Sequence, residues 1–333
     1  MRSKPVGLED EAVVEALRRW GFEASVAEYV PMGAGSHHWR VTDAAGARRF
    51  VTVDDLDSKT WLGDTRDASF GGLRLAFDTA VALRQGGLDF VVAPLPTSEG
   101  DSLLRLGSRH TLALFPFVDG RGAEFGAHDE ESRKAALAMV AELHRATTGP
   151  DVSSVGLELP GRRHLEAALR DVDEPWTDGP LSEPARAAIR RGASELAELL
   201  GLADVLAAEA RSHGGAWVVT HGEPHAANIM RTGDAWLLVD WDTVALAPPE
   251  RDLWMLVDDA DENAARDYFG TTGRQIDQTA LDYFRLAWDL KDLAEYLNVL
   301  RAPHEENEDT ARELGALGNC AAIREAWAAR LDR

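Results

Sequence analysis

The sequence predicts an α+β fold of two lobes: a small lobe with an antiparallel sheet at residues 1–117, and a large, mainly helical lobe at residues 118–333. Three observations predict this fold. Strand-like segments separated by turns crowd the first part of the chain. Apolar residues at helical spacing dominate the second part. Within that second part, two short apolar segments, 218–220 and 235–239, are each followed by polar residues, which is typical of a functional site at strand ends.

The elements of the small lobe follow from periodicity and turn residues. Residues 8–20 carry apolar side chains at helical spacing, and Gly21 is a helix-stop signal. Polar turns at residues 33–36 and 43–46 separate the strands that follow. A helix at residues 71–85 ends before two glycines. The strands predicted for this lobe are 27–32, 38–42, 48–53, 90–92, 102–106 and 110–117.

The large lobe is predicted from longer stretches of helical periodicity. Ala136, Met139, Val140 and Leu143, for example, form one apolar stripe. We find no internal repeat and no low-complexity tract. The helices predicted for this lobe are 130–147, 162–170, 183–200, 202–212, 249–258, 263–269, 279–300 and 309–331.

Composition places the chain among globular proteins. It has 333 residues, of which 45% are hydrophobic, so a sizeable core is expected. The single cysteine, Cys320, rules out a disulfide within the chain, and we expect a cytoplasmic location. Residues 1–10 lack the apolar core of a signal peptide, and no apolar run reaches the roughly 18 residues needed to cross a bilayer.

The formal net charge of −22 limits the classes of partner. It argues against nucleic acids and anionic membranes, because both are negatively charged themselves. It suits a cationic small molecule such as an amino sugar, although an acidic surface that only keeps the protein soluble explains the charge equally well. These features do not predict the oligomeric state.

The segment 218–242 carries the clearest chemical pattern. Kinase-like enzymes place three groups in a fixed order: an acid that orients the acceptor hydroxyl, an asparagine five residues later on the metal, and then an aspartate on the metal. Here that order is Glu223, Asn228 and Asp240, with Asp240 at the end of an apolar strand. The second acid of that strand end, Asp242, is predicted either as a further metal contact or as a loop acid.

The same segment resembles the catalytic and metal-binding loops of the aminoglycoside phosphotransferase family. That family usually has His-Gly-Asp-x-His-x-x-Asn, followed by Ile-Asp-Trp/Phe-Asp/Glu. Residues 247–253, Ala-Pro-Pro-Glu-Arg-Asp-Leu, resemble a later family segment, and the combination is closest to spectinomycin-type phosphotransferases. The family is similar in fold to protein kinases and choline kinases. The resemblance therefore implies a protein-kinase-like two-lobed fold, with Mg²⁺ and ATP, or GTP in its place, as cofactors.

The resemblance also implies the catalytic roles. Glu223 would orient or deprotonate the acceptor hydroxyl, and Asn228 and Asp240 would hold the metal. Glu223 departs from the family, which has aspartate at this position. One extra methylene moves a carboxylate by about an ångström, and misplacement on that scale can cost about a hundredfold in rate.

Three further residues are predicted to hold the loop in shape. The family implies that His221 and Asp252 form hydrogen bonds around the catalytic and metal segments, and that His225 either does the same or faces the phosphates. An alternative is a zinc site made of His221, Glu223 and His225. We disfavour it because Pro224 breaks the helix that would present two such ligands on one face.

The nucleotide contacts are the weakest part of the resemblance. The family has a lysine on the third strand, where this chain has Thr52, and Lys59 is the one lysine close enough in sequence to replace it. Ser36, which ends a glycine-containing turn, is a candidate phosphate contact. Phe115 and Phe117 mark the predicted hinge, whose backbone would bind adenine. The predicted nucleotide-binding residues are thus Ser36, Thr52, Lys59, Phe115 and Phe117.

Acids downstream of the metal segment are candidates for the acceptor site. Asp258, Asp259 and Asp289 lie in regions that line the antibiotic site of the family and pair there with ammonium groups. For any one of them taken alone, a solvated helix face is the preferred explanation.

The predicted function is Mg²⁺-dependent transfer of the γ-phosphate of ATP or GTP to a hydroxyl of an aminoglycoside or aminocyclitol antibiotic. Two alternatives remain open at this point. The acceptor could instead be a macrolide, a peptide or nucleoside antibiotic, or a metabolite. Alternatively, the substitutions at Thr52 and Glu223 could mark a phosphotransferase-like binding protein with impaired catalysis.

Overall fold

The computed structural model describes residues 1–5, 7–33, 35–147, 151–258 and 261–331, and for Arg121, Cys320, Ala321 and Leu331 the backbone alone. The chain forms two compact units: Met1–Gly156 with Gly215–Ile276, and Leu157–Gly214 with Asp277–Arg333. The predicted lobe boundary between residues 117 and 118 falls inside the first unit and stays a prediction. Among the described residues, no helix is both long and apolar enough to cross a membrane.

The first unit opens with a short helix and an antiparallel sheet of five strands in the order β1-β2-β3-β5-β4. A long helix, α2, lies between the third and fourth strands in sequence. It begins earlier than predicted, because the side chain of Thr65 caps it by accepting a hydrogen bond from the backbone of Ala68. These elements are α1 Asp10–Ala16, β1 Ala24–Val30, β2 Ser36–Asp43, β3 Arg48–Asp55, α2 Arg66–Gln85, β4 Leu104–Leu106 and β5 His110–Pro116.

The two faces of this sheet follow from the alternation of side chains along its strands. On one face, Trp39 of β2 and Val51 of β3 are fully buried in a cluster that includes Val13 of α1. On the other face, Phe115 of β5 packs edge-on against Phe77 of α2, with ring centroids 5.6 Å apart. One helix therefore covers each face of the sheet, and β5 is buried on both faces.

The remainder of the first unit places two small sheets beside helices. Strand β7 pairs with β10, and β8 forms a hairpin with β9 that also pairs with β6. The strand predicted at 90–92 is a single parallel bridge between Val91 and Leu238. The helix predicted at 249–258 is confined to one turn. These elements are β6 Arg121–Gly122, α3 Glu130–Leu143, β7 Val218–Thr220, β8 Ile229–Thr232, β9 Ala235–Leu238, β10 Ala245–Ala247, α7 Glu250–Leu253 and α8 Glu262–Thr272.

The described part of the second unit is helical, with α9 packed against α4, α6 and α10. Two predicted boundaries are wrong. The break between the fifth and sixth helices falls at Gly192 rather than Gly201, because open space surrounds Gly201 and a helix tolerates such a glycine at a cost of about 1 kcal/mol. The helix predicted at 309–331 is interrupted at Gly318. These elements are α4 Arg162–Arg170, α5 Ser182–Arg191, α6 Ala193–His213, α9 Gln278–Leu300, α10 Glu308–Leu317 and α11 Cys320–Leu331.

Candidate active site

The loop at residues 221–228, which runs from β7 to β8, is held in place by one buried carboxylate. Asp252 accepts a hydrogen bond from the backbone N–H of His221 at 2.8 Å and another from Gly222 at 2.5 Å. The Asp252 side chain is fully buried, at 0% exposure. Since an unpaired buried N–H is costly, these two bonds fix the start of the loop.

Asp252 is itself held by a chain of side chains. His144 donates from Nε2 to the carboxylate at 3.1 Å, and the Tyr268 hydroxyl lies 2.8 Å from Nδ1 of the same imidazole. Burial by itself would raise the pKa of Asp252, but the bond from His144 and the surrounding positive groups outweigh it, so its pKa lies below the ordinary value. The carboxylate is therefore ionised at neutral pH and accepts every bond offered to it.

His221 uses both ring nitrogens to shape the same loop. Its Nε2 donates to the Val239 carbonyl at 3.0 Å, and its Nδ1 accepts from the backbone N–H of Glu223 at 3.2 Å. Burial lowers the pKa of His221, so the neutral tautomer that these two bonds require is the stable one. With both nitrogens engaged, His221 has no lone pair left for a zinc ion.

Only glycine fits at position 222. Its φ is +98°, and a Cβ there would lie 2.3 Å from Nη2 of Arg251. That partly buried guanidinium donates to the Thr220 hydroxyl at 2.8 Å and to the Thr243 carbonyl at 2.9 Å. The loop therefore turns over Arg251, which ties β7 to the segment after Asp242.

The β8–β9 hairpin brings the two predicted metal ligands to the same end. The backbone N–H of Val239 donates to the Asn228 carbonyl at 3.0 Å, and Asp240 is the next residue. Among the described residues, Asp240 is the one non-glycine position with positive φ, at 69°. Aspartate tolerates this conformation better than most residues, and such backbone strain is concentrated at functional sites.

The carboxylates around Asp240 raise one another's pKa. Asp240 is exposed at the strand end, but neighbouring protein atoms displace part of the water around its carboxylate. This partial desolvation, followed by the charge of Asp242, raises the pKa of Asp240 well above its ordinary value. Burial and the charge of Glu223 likewise raise the pKa of Asp242, although the neighbouring Lys59 opposes the shift. A concentration of negative charge of this kind favours a bound cation.

Lys59 is fully enclosed by acceptors. Its Nζ lies 2.6 Å from Oδ2 of Asp242 and 3.0 Å from Oδ1 of Asp54, and it donates to the Ser36 hydroxyl at 3.2 Å. Its side chain is 2% exposed. Burial by itself would lower the pKa of Lys59, but the two carboxylates more than offset it, so the pKa is raised and the ammonium stays charged. The predicted nucleotide contacts Ser36 and Lys59 thus meet, and the predicted role of each stays a prediction.

The other predicted nucleotide residues are separated. Thr52 lies on β3, with its hydroxyl 3.4 Å from Nδ1 of His38. The Phe115 side chain lies in the core beneath the sheet. The Phe117 ring is covered by the Arg48 guanidinium, 4.3 Å from the ring centroid. Their side chains therefore have structural partners, and the adenine-binding role implied for this hinge concerns its backbone.

Sequence reasoning missed an apolar surface in the first unit. Phe50 of β3, Val118, Leu237 of β9 and Val239 are partly buried against one apolar cluster. Phe50 also stacks on His38, with ring centroids 5.1 Å apart. The alternation along β3 carries a signal for this face, because Phe50, Thr52 and Asp54 point the same way.

A cavity of about 380 Å³ lies beside the 221–228 loop. Its wall includes His128, whose Nε2 lies 2.9 Å from the carbonyl oxygen of Pro224. Pro224 is the residue that follows Glu223 in the loop. Phe125, 68% exposed, stands edge-on to His225, with ring centroids 4.9 Å apart. The residues lining the cavity are Ala127, His128, Glu130, Arg133, Met255, Leu256 and Asp258.

The predicted acceptor acids fall in different places. Asp258 is exposed and lines the cavity just described. Asp259 lies outside the described residues. Asp289 lies on α9 in the second unit, where Trp327 donates to its carboxylate at 3.4 Å and burial raises its pKa. The acceptor role predicted for each stays a prediction.

Comparison with known proteins identifies the family. The model of the phosphotransferase enzyme family known as APH matches residues 27–284. The chain belongs to the APH phosphotransferase family. The resemblance deduced from the sequence is thereby confirmed, and the protein is an enzyme of the small-molecule phosphotransferase type.

Individual relatives agree with this assignment. Protein StrN of Streptomyces griseus is 28% identical over 257 residues, which cover 75% of this chain and 76% of StrN. The structure of spectinomycin phosphotransferase APH(9)-Ia with ADP and spectinomycin has a TM-score of 0.69 at 15% identity, covering 96% of this chain and 99% of that one. Amicoumacin kinase hAmiN in complex with AMP-PNP, Ca²⁺ and Ami has a TM-score of 0.57 at 13% identity, covering 96% and 93%. These structures confirm the predicted kinase-like fold of this phosphotransferase.

Proposed function

We propose that this phosphotransferase transfers the γ-phosphoryl group of ATP or GTP to a hydroxyl of an aminoglycoside- or aminocyclitol-type antibiotic, with Mg²⁺. The observation that carries the proposal is the braced loop. It holds Glu223 and Asn228 at fixed positions, with Asp240 at the adjoining strand end. Phosphoryl transfer depends mainly on positioning and charge, and this arrangement supplies both.

Two features support nucleotide binding in the first unit. Phe50, Val118, Leu237 and Val239 are partly buried and offer apolar surface for a base, next to Asp240. The similar spectinomycin phosphotransferase was solved with ADP, and the amicoumacin kinase with AMP-PNP. We place the base on this apolar surface and the phosphates toward Ser36 and Asp240.

Asn228 and Asp240 would hold the magnesium ion. The amide nitrogen of Asn228 donates to the Glu223 carbonyl at 2.9 Å, which turns the amide oxygen away from that carbonyl and suits it to accept a cation. The described residues contain no group of three or more His, Cys, Asp or Glu side chains arranged for a metal. Two oxygen ligands nevertheless suffice for Mg²⁺, which completes its shell with waters and phosphates. When bound, the ion neutralises charge on the phosphate oxygens.

Glu223 would act on the acceptor. The acceptor hydroxyl oxygen forms a bond to the γ-phosphorus, the bond from that phosphorus to the β–γ bridging oxygen breaks, and ADP or GDP leaves. The hydroxyl proton passes to the Glu223 carboxylate. His221 fixes the backbone of Glu223 through the 3.2 Å hydrogen bond to its N–H, so the longer side chain starts from a defined position.

The cavity beside the loop would receive the acceptor. Asp258 and Glu130 on its wall suit an ammonium group, and Phe125 offers an exposed ring near His225 for stacking on a sugar or ring system. The net charge of −22 favours the same class of molecule. A macrolide, peptide or nucleoside antibiotic, or a metabolite, is the alternative acceptor, and Met255 and Leu256 give it an apolar wall.

The first test is calorimetric titration with ATP and GTP, each with and without Mg²⁺. We expect binding that tightens with Mg²⁺ for at least one nucleotide. That nucleotide is then used in a panel of amino-sugar, aminocyclitol, macrolide, peptide and nucleoside acceptors, with phosphorylated product detected by mass spectrometry. No binding of either nucleotide, or no product with any acceptor, contradicts the proposal.

A second comparison separates enzyme from binding protein. We expect Glu223→Ala to fold, to bind nucleotide as the wild type does, and to lose phosphorylated product. If cells that express Glu223→Ala keep the full drug protection given by the wild type, the chain acts by binding, and the catalytic proposal fails.

A further inference from the structure

We propose that Asp54, Lys59 and Asp242 form an ion-pair clamp that positions the strand end carrying Asp240, so that Lys59 acts through protein carboxylates and not by touching the nucleotide. Asp54 is the new positioning residue in this inference. The proposal rests on the proposed function, because it concerns how the metal segment of that same site is held.

The first argument is that the Lys59 ammonium already has three partners within the protein. It donates hydrogen bonds to Asp242 at 2.6 Å and to the Ser36 hydroxyl at 3.2 Å, and it forms an ion pair with Asp54 at 3.0 Å. The Trp61 ring adds a cation–π contact, 5.0 Å from Nζ to the ring centroid. A phosphate that approached Lys59 would therefore compete with these protein partners.

The second argument is the position of Asp54 on β3. Side chains alternate along a strand, so Asp54 points inward while Asp55 points outward. Asp54 lies opposite Ser36 in the register of β2 and β3, and the Ser36 hydroxyl donates to Oδ1 of Asp54 at 2.5 Å. Asp55 instead accepts from the exposed Arg109 at 2.6 Å. Two consecutive acids therefore serve different purposes.

The third argument is that α2 holds the other end of Lys59. The Ser69 hydroxyl of α2 donates to the Lys59 carbonyl at 3.2 Å, and the backbone N–H of Leu62 donates to it at 3.0 Å. The lysine is thus fixed at its backbone and at its ammonium. The family pattern described above has the lysine on the strand, whereas this chain has the acid on the strand and the lysine in the loop that follows.

The clamp reaches the metal segment through Asp242. This residue lies two positions after Asp240, whose backbone has the unusual φ of 69°. Anchoring Asp242 to β3 restrains that conformation from one side, as the Val239–Asn228 backbone bond does from the other. The second carboxylate oxygen of Asp54 is buried and has no hydrogen-bond partner among the residues that the structure describes, an arrangement that calls for a compensating role.

The test compares Asp54→Asn with Asp55→Asn, which makes the same chemical change on the outer face of the same strand. ATP affinity is measured by calorimetry, first without metal and then across a Mg²⁺ titration. Outer-shell substitutions typically cost about 10-fold or more in metal affinity. We therefore expect Asp54→Asn to raise the half-saturating Mg²⁺ concentration about 10-fold and to leave metal-free ATP affinity within about twofold. Asp55→Asn should leave both quantities unchanged.

Two results would overturn the clamp. If Asp54→Asn leaves the Mg²⁺ dependence unchanged, Asp54 does not position the metal segment. If Lys59→Met weakens metal-free ATP binding as much as Mg²⁺-dependent binding, Lys59 contacts phosphate directly.

A readout without nucleotide keeps the clamp testable on its own. We expect the Tm losses of Lys59→Met and Asp242→Asn to be less than additive in the double variant, because each removes a partner of the other. Additive losses would contradict the clamp. A wild type that binds no nucleotide would contradict only the proposed function. Should Lys59→Met fail to fold, the same cycle is made with Asp54→Asn.

Discussion

The 221–228 loop and the ion-pair clamp of Asp54, Lys59 and Asp242 lie in one compact unit, yet they are built in opposite ways. The loop is local: Asn228 donates to a carbonyl five residues earlier. The ion-pair clamp joins segments that are far apart in the sequence: Lys59 and Asp242 are separated by 183 residues. A site can therefore be encoded by a contiguous motif on one side and by unrelated segments on the other.

This contrast has an energetic side. The loop is held by two hydrogen bonds, in which the backbone N–H groups of His221 and Gly222 donate to the Asp252 carboxylate. The ion-pair clamp is held by the buried charges of Lys59, Asp54 and Asp242, and leaving any of these charges unpaired would be costly. Breaking the loop should therefore affect turnover and folding together, whereas altering the clamp should change how the metal segment is positioned.

The largest expected effect comes from the end of β9. Asp240→Asn keeps a residue that tolerates positive φ but removes the charge proposed to hold Mg²⁺. We expect turnover of the acceptor identified in the panel to fall about 10³-fold or more, with loss of Mg²⁺-dependent tightening of nucleotide. Asp234→Asn, in the exposed turn of the same hairpin, is the control and should retain full turnover. Turnover in Asp240→Asn within tenfold of wild type would exclude Asp240 as the metal ligand.

The next effect tests the brace of the loop. Asp252→Ala leaves two backbone N–H groups and His144 without their acceptor in the core, and each buried donor left without an acceptor costs about 1–3 kcal/mol. We expect a corresponding fall in the free energy of unfolding, measured by urea denaturation, and a smaller fall for Asp252→Asn. Asp267→Ala, on the exposed face of α8, should stay within about 0.5 kcal/mol of wild type. An Asp252→Ala protein as stable as wild type would show that the loop has another support.

The sequence predicted what is local and apolar, and it missed what depends on long-range contact. Strand-like segments separated by turn residues predicted β2, β3 and β5, because both signals are local in the sequence. Glycine misled the helix boundaries at Gly201, since open space surrounds that position. Asp54 and His144 gave no signal, because their partners lie far along the chain: His144 is 108 residues from Asp252.

The role of glutamate at position 223, where the family has aspartate, can be tested by restoring aspartate. If the loop is adjusted to glutamate, Glu223→Asp withdraws the carboxylate by about an ångström, and we expect kcat to fall about 100-fold. Nucleotide affinity should be unchanged, because the backbone bonds of the loop remain. Glu223→Gln is the matched variant of equal length and should lose at least as much. A higher kcat in Glu223→Asp would instead mean that glutamate is an impaired replacement and that the loop still fits the shorter acid.

The smallest expected effect is on the free energy of unfolding at low pH. It tests the 221–228 loop separately from the ion-pair clamp. Burial lowers the pKa of His225 to about 4, below its ordinary value of 6.5. Between these two pH values the unfolded chain binds a proton at this histidine and the folded chain does not. The contribution of His225 to the free energy of unfolding is therefore fully present above pH 6.5 and is lost as pH falls toward 4, by at most about 1.4 kcal/mol per pH unit for one proton.

Urea denaturation of metal-free protein at pH 7, 6 and 5 should show the free energy of unfolding declining less steeply for His225→Gln than for wild type. In a Lys59→Met background, the same His225→Gln substitution should reduce the decline by the same amount. Because His37 and His38 are shifted in the same direction, the difference between the two curves, and not the wild-type curve alone, measures His225. Parallel curves for wild type and His225→Gln would mean that the loop opens to solvent before the protein unfolds, and that its brace is weaker than its hydrogen bonds indicate.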